Sequence, residues 1–287
     1  MCTARQVVGI LALLNPPKEM DATFQIGPRR DVSSGSRAAR MIVGAVAFLI
    51  AAPFTAAGAE PVTIESADTP AVLVELFTSE GCSSCPPADA WLSRLKSNPE
   101  LWKSYVPVAY HVDYWNRLGW TDRFSSAEFT ARQHRYAAAW QGNSVYTPEV
   151  AVNGREWRGI FDGQPLPAPA GGTVGKLKVI LRDRTRAEIV FTGASATPRP
   201  SHVEVALLGM NLESDVKRGE NGGRKLRHDF VVLQLVTAKL TADGNRFTAS
   251  VPLPAATTGE ATALAAWVTT GDARPTVQAA GGWIKIP

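Results

Sequence analysis

From Pro70 onward the chain alternates between apolar runs and short polar breaks. Ala71–Phe77 (AVLVELF) is apolar apart from Glu75, the pattern of a strand buried on both faces. Thr78–Gly81 reads as a turn. Beyond Cys82, the residues Ala88, Trp91, Leu92 and Leu95 recur at i, i+3, i+4 and i+7, one face of a helix. Pro86 and Pro87 suit its first turn, where amide donors have no intrahelical partner, and Asn98-Pro99 ends it. Tyr105–Asp113 (YVPVAYHVD) is a second strand, followed by an aromatic loop over Tyr114–Thr121. Asp122 reads as the N-cap of a helix reaching about Trp140, and Gly142-Asn143 stops it. Glu149–Val152 is a third strand. Asn153-Gly154 is a strong hairpin turn signal, with Arg155–Arg158 pairing back.

Strand, helix, strand, helix and hairpin in that order predict two parallel strands joined by a helical crossover, with an antiparallel pair added. Proline and glycine then dominate residues 163–175 (GQPLPAPAGGTVG), a linker by composition. After it the period becomes that of strands. Leu177–Leu181, Ala187–Thr192, His202–Leu208, Asp229–Thr237, Arg246–Val251, Ala261–Val268 and Ile284–Ile286 are short apolar or alternating runs between turn residues, as in an all-β sandwich. Lys217–His228 (KRGENGGRKLRH) reads as a polar, basic, glycine-rich loop in solvent. The expected organisation is an α/β domain over 66–165, a Pro/Gly-rich linker over 166–173, and an all-β sandwich-like domain over 174–287. No internal repeat is visible.

The formal charge of +4 and a pI near 9.0 invite a nucleic-acid reading. Residues 1–59 account for most of the excess, leaving 24 basic and 23 acidic residues downstream. That balance leaves nothing basic enough to cover a phosphate backbone, so no nucleic-acid partner is expected. Residues 41–59 (MIVGAVAFLIAAPFTAAGA) follow Arg37 and Arg40 with an apolar stretch over 41–54 and end on Ala57-Gly58-Ala59, the pattern of a cleaved secretory signal. The run falls short of the roughly twenty residues a membrane helix needs. The expectation is a periplasmic or secreted protein beginning near Glu60, with no stable membrane span after cleavage. Residues 1–40 read as an over-extended start ahead of Met41, with Arg29-Arg30 as a weaker twin-arginine alternative.

Of the three cysteines, Cys2 lies in this leader, which leaves Cys82 and Cys85. A disulfide closing so short a loop constrains the unfolded chain little, so reactivity explains the pair better than stability does. A cysteine at a helix N-terminus faces unpaired amides and the positive end of the helix dipole, which favour thiolate over thiol. Cys82 is therefore the expected nucleophile. Cys85, one turn on, would resolve the mixed disulfide. Thr147-Pro148 precedes the third strand and comes back beside the cysteines, with a cis bond presenting the Thr147 backbone to substrate; Ser83 and Ser84 complete the binding edge. His111 and Asp113 end the second strand on the same edge and point the same way. With Glu75 they are candidates for proton relay, against a plain role as hydrogen-bonded core groups beside packing residues Trp115 and Trp120. No cofactor is expected beyond the redox-active cysteines.

The stretches FTSEGCSSCPPAD at 77–89, YHVDYWNRLGW at 110–120, TARQHRYA at 130–137, VYTPEVAVNG at 145–154 and RGENGGRKLRH at 218–228 resemble a bacterial family known as domain of unknown function 1223. The resemblance spans about residues 70–287 and implies export and a thioredoxin-like fold for the first domain. Its motif logic is similar to that of thioredoxin and glutaredoxin, which implies redox roles for Cys82, Cys85 and Pro148. Gly81-Cys82-Ser83-Ser84-Cys85 departs from the thioredoxin Trp-Cys-Gly-Pro-Cys. The function this implies is thiol–disulfide exchange on protein thiols and disulfides, with a separate redox partner. Two alternatives stay open: a Cu(I)-binding, metallochaperone-like protein using Cys82, Cys85 and His111, and a non-catalytic partner-binding module with a structural disulfide.

Overall fold

The structure, a computed structural model, describes residues 61–183, 185–253, 261–271 and 275–284. The leader and signal expected over 1–59, and the end of the strand expected at Ile284–Ile286, lie outside the described residues. The first half of the chain forms β1 (Val62–Glu65), β2 (Val72–Thr78), α1 (Cys85–Ser93), β3 (Tyr105–His111), α2 (Ala127–Ala139), β4 (Glu149–Val152) and β5 (Arg155–Glu156). Next come β6 (Gly175–Leu181), β7 (Arg186–Gly193), β8 (His202–Gly209), β9 (Leu212–Asp215) and β10 (Lys225–His228). The chain continues with β11 (Val231–Lys239), β12 (Thr241–Asp243), β13 (Arg246–Pro252), β14 (Ala263–Thr269) and β15 (Thr276–Trp283).

One eight-stranded sheet runs β15-β14-β8-β11-β3-β2-β4-β5, a five-stranded sheet runs β1-β6-β7-β13-β12, and β9 and β10 form a separate hairpin. This corrects the expected fold class. An α/β thioredoxin-like domain followed by an all-β sandwich-like domain is not what the chain builds. The described residues are mainly β, with two α-helices against fifteen strands. Strands from both halves share the large sheet because β11 adds in parallel to the outer side of β3, Val231 opposite Ala109. The local runs of β2 and β3 were legible, but nothing in either reveals that β3 has a second neighbour more than a hundred residues downstream.

Burial along the strands follows from this layering. β2 is buried at every position because it lies inside the sheet, between β3 and β4, with both faces covered. In β8, Val203, Val205 and Leu207 enter the core shared with the five-stranded sheet, while Ala206 and Leu208 face the core shared with β2 and α2. β14 divides the same way, with Leu264, Ala266 and Val268 on one side and Ala265 and Trp267 on the other. β6 and β7 have one covered face and alternate buried with half-buried residues.

β15 was not foreseen. It carries Gly281-Gly282, poor strand formers, yet both are required. A Cβ at Gly281 would lie 2.2 Å from the Trp102 ring, and one at Gly282 would lie 2.9 Å from Ile64. α2 begins at Ser126, whose side chain accepts from the Glu128 amide. Asp122, expected as that cap, is held elsewhere.

Candidate functional site

β2 ends at Thr78, and a tight turn carries the chain into α1. The Cys82 amide donates to Ser79 O at 3.2 Å and the Cys85 amide to Cys82 O at 3.2 Å. Gly81 is required in that turn, since a Cβ there would come within 2.9 Å of the Trp115 Cβ. Cys85 opens α1, with prolines in its first turn. Both cysteines are free thiols; Cys82 is 1% exposed and Cys85 fully buried. Ser83 and Ser84 between them are exposed, so the surface lies one residue away from the buried sulfur.

The Thr147-Pro148 bond is cis, and it does lie beside the pair. The Cys82 thiol points at Thr147 O across 3.7 Å, and its sulfur is 3.2 Å from Ser84 Oγ. Ser84 Oγ lies 3.4 Å from Thr147 O, and its single proton goes to the sulfur when Cys82 is a thiolate. The Trp115 indole donates to Thr147 Oγ1 at 2.8 Å, fixing the segment from behind. Hydrogen bonding from the Cys85 thiol, aided by Ser84, outweighs burial and holds the Cys82 pKa down to about 6. Burial, together with the neighbouring Cys82 and Asp89, pushes Cys85 far above the usual thiol range. One sulfur is thus a thiolate at neutral pH and the other a proton donor to it. The ultraviolet absorbance of thiolate in reduced protein is therefore expected to titrate with a midpoint near pH 6 and stay flat through pH 8. A midpoint near the ordinary value of about 8.5 would show that Cys85 does not make this contact in solution.

The segment read as a solvated basic loop is folded against the cysteines. Asn221, fully buried, donates from Nδ2 to Glu80 O at 2.9 Å and to Cys82 O at 2.8 Å. Its own Oδ1 accepts from Arg224 at 2.6 Å. Glu220 Oε2 accepts from the Ser83 amide at 2.9 Å and from Ser83 Oγ at 2.7 Å. At the base of the hairpin, His228 pairs with Glu80 at 3.3 Å and with Asp89 at 3.6 Å. Burial alone would lower the His228 pKa, but these two carboxylates outweigh it and raise it to about 9. His228 is therefore a cation between two buried anions at neutral pH. Glu80 also accepts from the Trp120 indole at 2.6 Å.

The proposed relay residues are only partly brought together. His111 packs edge-on against His228, ring centroids 4.9 Å apart, but its partner is Asp122, with Nδ1 and Oδ2 2.7 Å apart. Burial raises the Asp122 pKa, and His111 together with the Glu80 and Phe124 amides lowers it further than burial raises it. Asp113 lies beyond the end of β3, where strand alternation no longer applies; it accepts from Thr130 Oγ1 at 2.6 Å. Glu75 faces away from the cysteines into an ion cluster with Arg132, at 2.7 Å, and the Tyr136 hydroxyl, at 2.7 Å. Among the described residues no cluster of three or more His, Cys, Asp and Glu is arranged to hold a metal ion, and His111 does not join Cys82 and Cys85 as a ligand set.

Sequence reading missed Glu80, Asp89, Asp122, Glu220, Asn221 and His228. The polar FTSEG turn and the GENGG stretch were visible as unusual, but their partnership spans well over a hundred residues.

The model for the family described as "Protein of unknown function (DUF1223)" matches residues 73–269. The chain belongs to the DUF1223 family. No curated protein matches it. Among solved structures it is similar to a structural-genomics target from Agrobacterium tumefaciens, 29% identical, with 73% of this chain and 92% of that one covered and a TM-score of 0.52. It is also similar to HBP35 of Porphyromonas gingivalis, at 15% identity, 76% coverage of each chain and a TM-score of 0.50; at that identity the likeness concerns fold alone. The DUF1223 match takes in the cysteine turn, α1, the Thr147-Pro148 segment and the 216–228 hairpin.

Proposed function

We propose that this DUF1223 protein catalyses thiol–disulfide exchange on protein substrates, outside the cytoplasm as the signal pattern at 41–59 implies. The observation that carries the reading is the geometry of the pair, with Cys85 opening α1 and the Cys82 sulfur 3.7 Å from the carbonyl of the cis Thr147-Pro148 segment; the lowering of the Cys82 pKa agrees with it. The Cys82 thiolate attacks one sulfur of a substrate disulfide, forms a mixed disulfide and releases the other sulfur as a thiolate, which takes up a proton. Cys85 then gives up its proton and attacks Cys82 Sγ. This closes the Cys82–Cys85 bond and releases the second substrate thiol, so two electrons pass from protein to substrate. The reverse sequence donates a disulfide, and the potential of the pair sets the direction. No cofactor takes part in either direction. Because Cys82 itself is 1% exposed, substrate engagement needs the wall formed by Ser83, Ser84 and Thr147 to part by a small amount.

The deciding experiment equilibrates the protein with glutathione buffers and traps the thiols. A potential between about −120 and −270 mV is expected, the span of exchange catalysts. A value below about −300 mV would make the bond a structural one and end this reading.

A further inference from the structure

A cleft of about 390 Å³ opens directly beside the cysteine turn, within the range of ligand sites. One end is formed by Ser84 and Pro148, next to the sulfur pair. From there it runs along the outer face of α1 past Pro87 and Trp91, with Ile160 and Phe161 opposite. Trp91 is held by stacking on Trp157, centroids 5.7 Å apart. Phe161 is 53% exposed, one of few large apolar side chains in contact with solvent. The far end is marked by Arg94, the one charged residue lining the cleft, whose guanidinium has no ion-pair partner among the described residues.

We propose that this cleft is the substrate subsite, and that it takes an extended polypeptide in which the reacting cysteine is followed by a bulky apolar residue and then a carboxylate. The inference rests on exchange at Cys82. Ser84 and Arg94 are ten residues apart on a helical path, about 15 Å at 1.5 Å per residue. An extended chain rising about 3.3 Å per residue covers that distance in four or five residues. A small thiol such as glutathione is too short to place its sulfur at the cysteines and a carboxylate at Arg94. The apolar residue falls midway, between Trp91 and Phe161. Burying it supplies most of the selectivity, and the exposed ion pair adds a smaller share.

The test uses short peptides whose cysteine is capped as a thionitrobenzoate disulfide. In a single turnover the reduced protein is oxidised to the Cys82–Cys85 disulfide, while peptide thiol and thionitrobenzoate are released and counted. Three peptides, with glycine at the other positions, carry Phe at the second position after the cysteine and Asp at the fourth, Phe at the second and Lys at the fourth, or glycine at the second and Asp at the fourth. The Phe-Asp peptide is expected to react about tenfold faster than the glycine one and about threefold faster than the Phe-Lys one. In Arg94→Glu the order of the Asp and Lys peptides is expected to reverse. Equal rates for all three peptides, an unaltered order in Arg94→Glu, or a faster reaction with glutathione capped in the same way would overturn the subsite. Failure to react even with the symmetrical aromatic disulfide that carries no peptide would overturn exchange itself, so the two failures are distinguishable.

Discussion

Serine at position 82 is expected to reduce disulfide exchange to the uncatalysed background, whereas serine at position 85 is expected to stop it halfway. In Cys82→Ser the remaining thiol is buried and held far above the usual range by that burial, so almost no thiolate exists at neutral pH to attack. In Cys85→Ser the nucleophile survives but its resolving partner does not, and a mixed disulfide between Cys82 and substrate accumulates. Cys85→Ala, which equally lacks a resolving thiol, also removes the hydrogen bond that does most to lower Cys82. If its pKa relaxed fully to about 8.5, the thiolate fraction at pH 7 would fall roughly thirtyfold, slowing the first step as well. Intact mass measurement of both variants after exposure to a substrate disulfide separates these outcomes. Exchange undiminished in Cys82→Ser would place the nucleophile elsewhere.

Arg132→Met is expected to be the most damaging single change to stability outside the core hydrophobics. Arg132 is 5% exposed and reaches from α2 to Glu75 on β2 and Glu204 on β8, the latter at 2.5 Å. Its guanidinium also lies over the rings of Tyr110 and Trp267, at 5.1 and 5.5 Å. Removing the cation leaves the fully buried Glu75 without its ion partner and takes one cation from Glu204, a loss of about 3–5 kcal/mol. Urea unfolding of the variant measures it. A double variant with Glu75→Gln is expected to lose less than the two single losses added together, because the Glu75 charge that Arg132 neutralises is then absent. A loss below about 1 kcal/mol in Arg132→Met would mean that the cluster opens to water.

The legible part of the fold was that set by short-range pattern. β4 falls on Glu149–Val152 as read, the turn at Asn153-Gly154 has both residues at positive φ, and the 3.6-residue period places Ala88, Leu92 and Leu95 inward. The cysteines were legible as chemistry concentrated in a few neighbouring residues, and Thr147-Pro148 through its place just before the third strand, which brings it back beside them. What failed was everything decided by partners far along the chain. The parallel pairing of β11 with β3 carries the eight-stranded sheet across both halves of the chain. Strand β15 hides behind glycines that exist for Trp102 and Ile64. Asp122 looked like a helix cap because caps and histidine partners draw on the same residue type, and only the fold shows that His111 is the nearer claimant. Lys217–His228 looked solvated because its composition is polar, and most of it is exposed, yet Glu220 and Asn221 reach the amide and carbonyl groups of the cysteine turn.

That last contact bears on how the protein comes into being. The carboxamide that grips the Cys82 carbonyl belongs to a residue 139 positions further along, and β14 and β15 follow later still. A chain made from its N-terminus therefore presents the cysteine turn long before Asn221 exists to hold the Cys82 carbonyl. The brace on the turn arrives only with the last third of the chain, whereas the groups that lower the Cys82 pKa, Cys85, Ser84 and Thr147, all precede it.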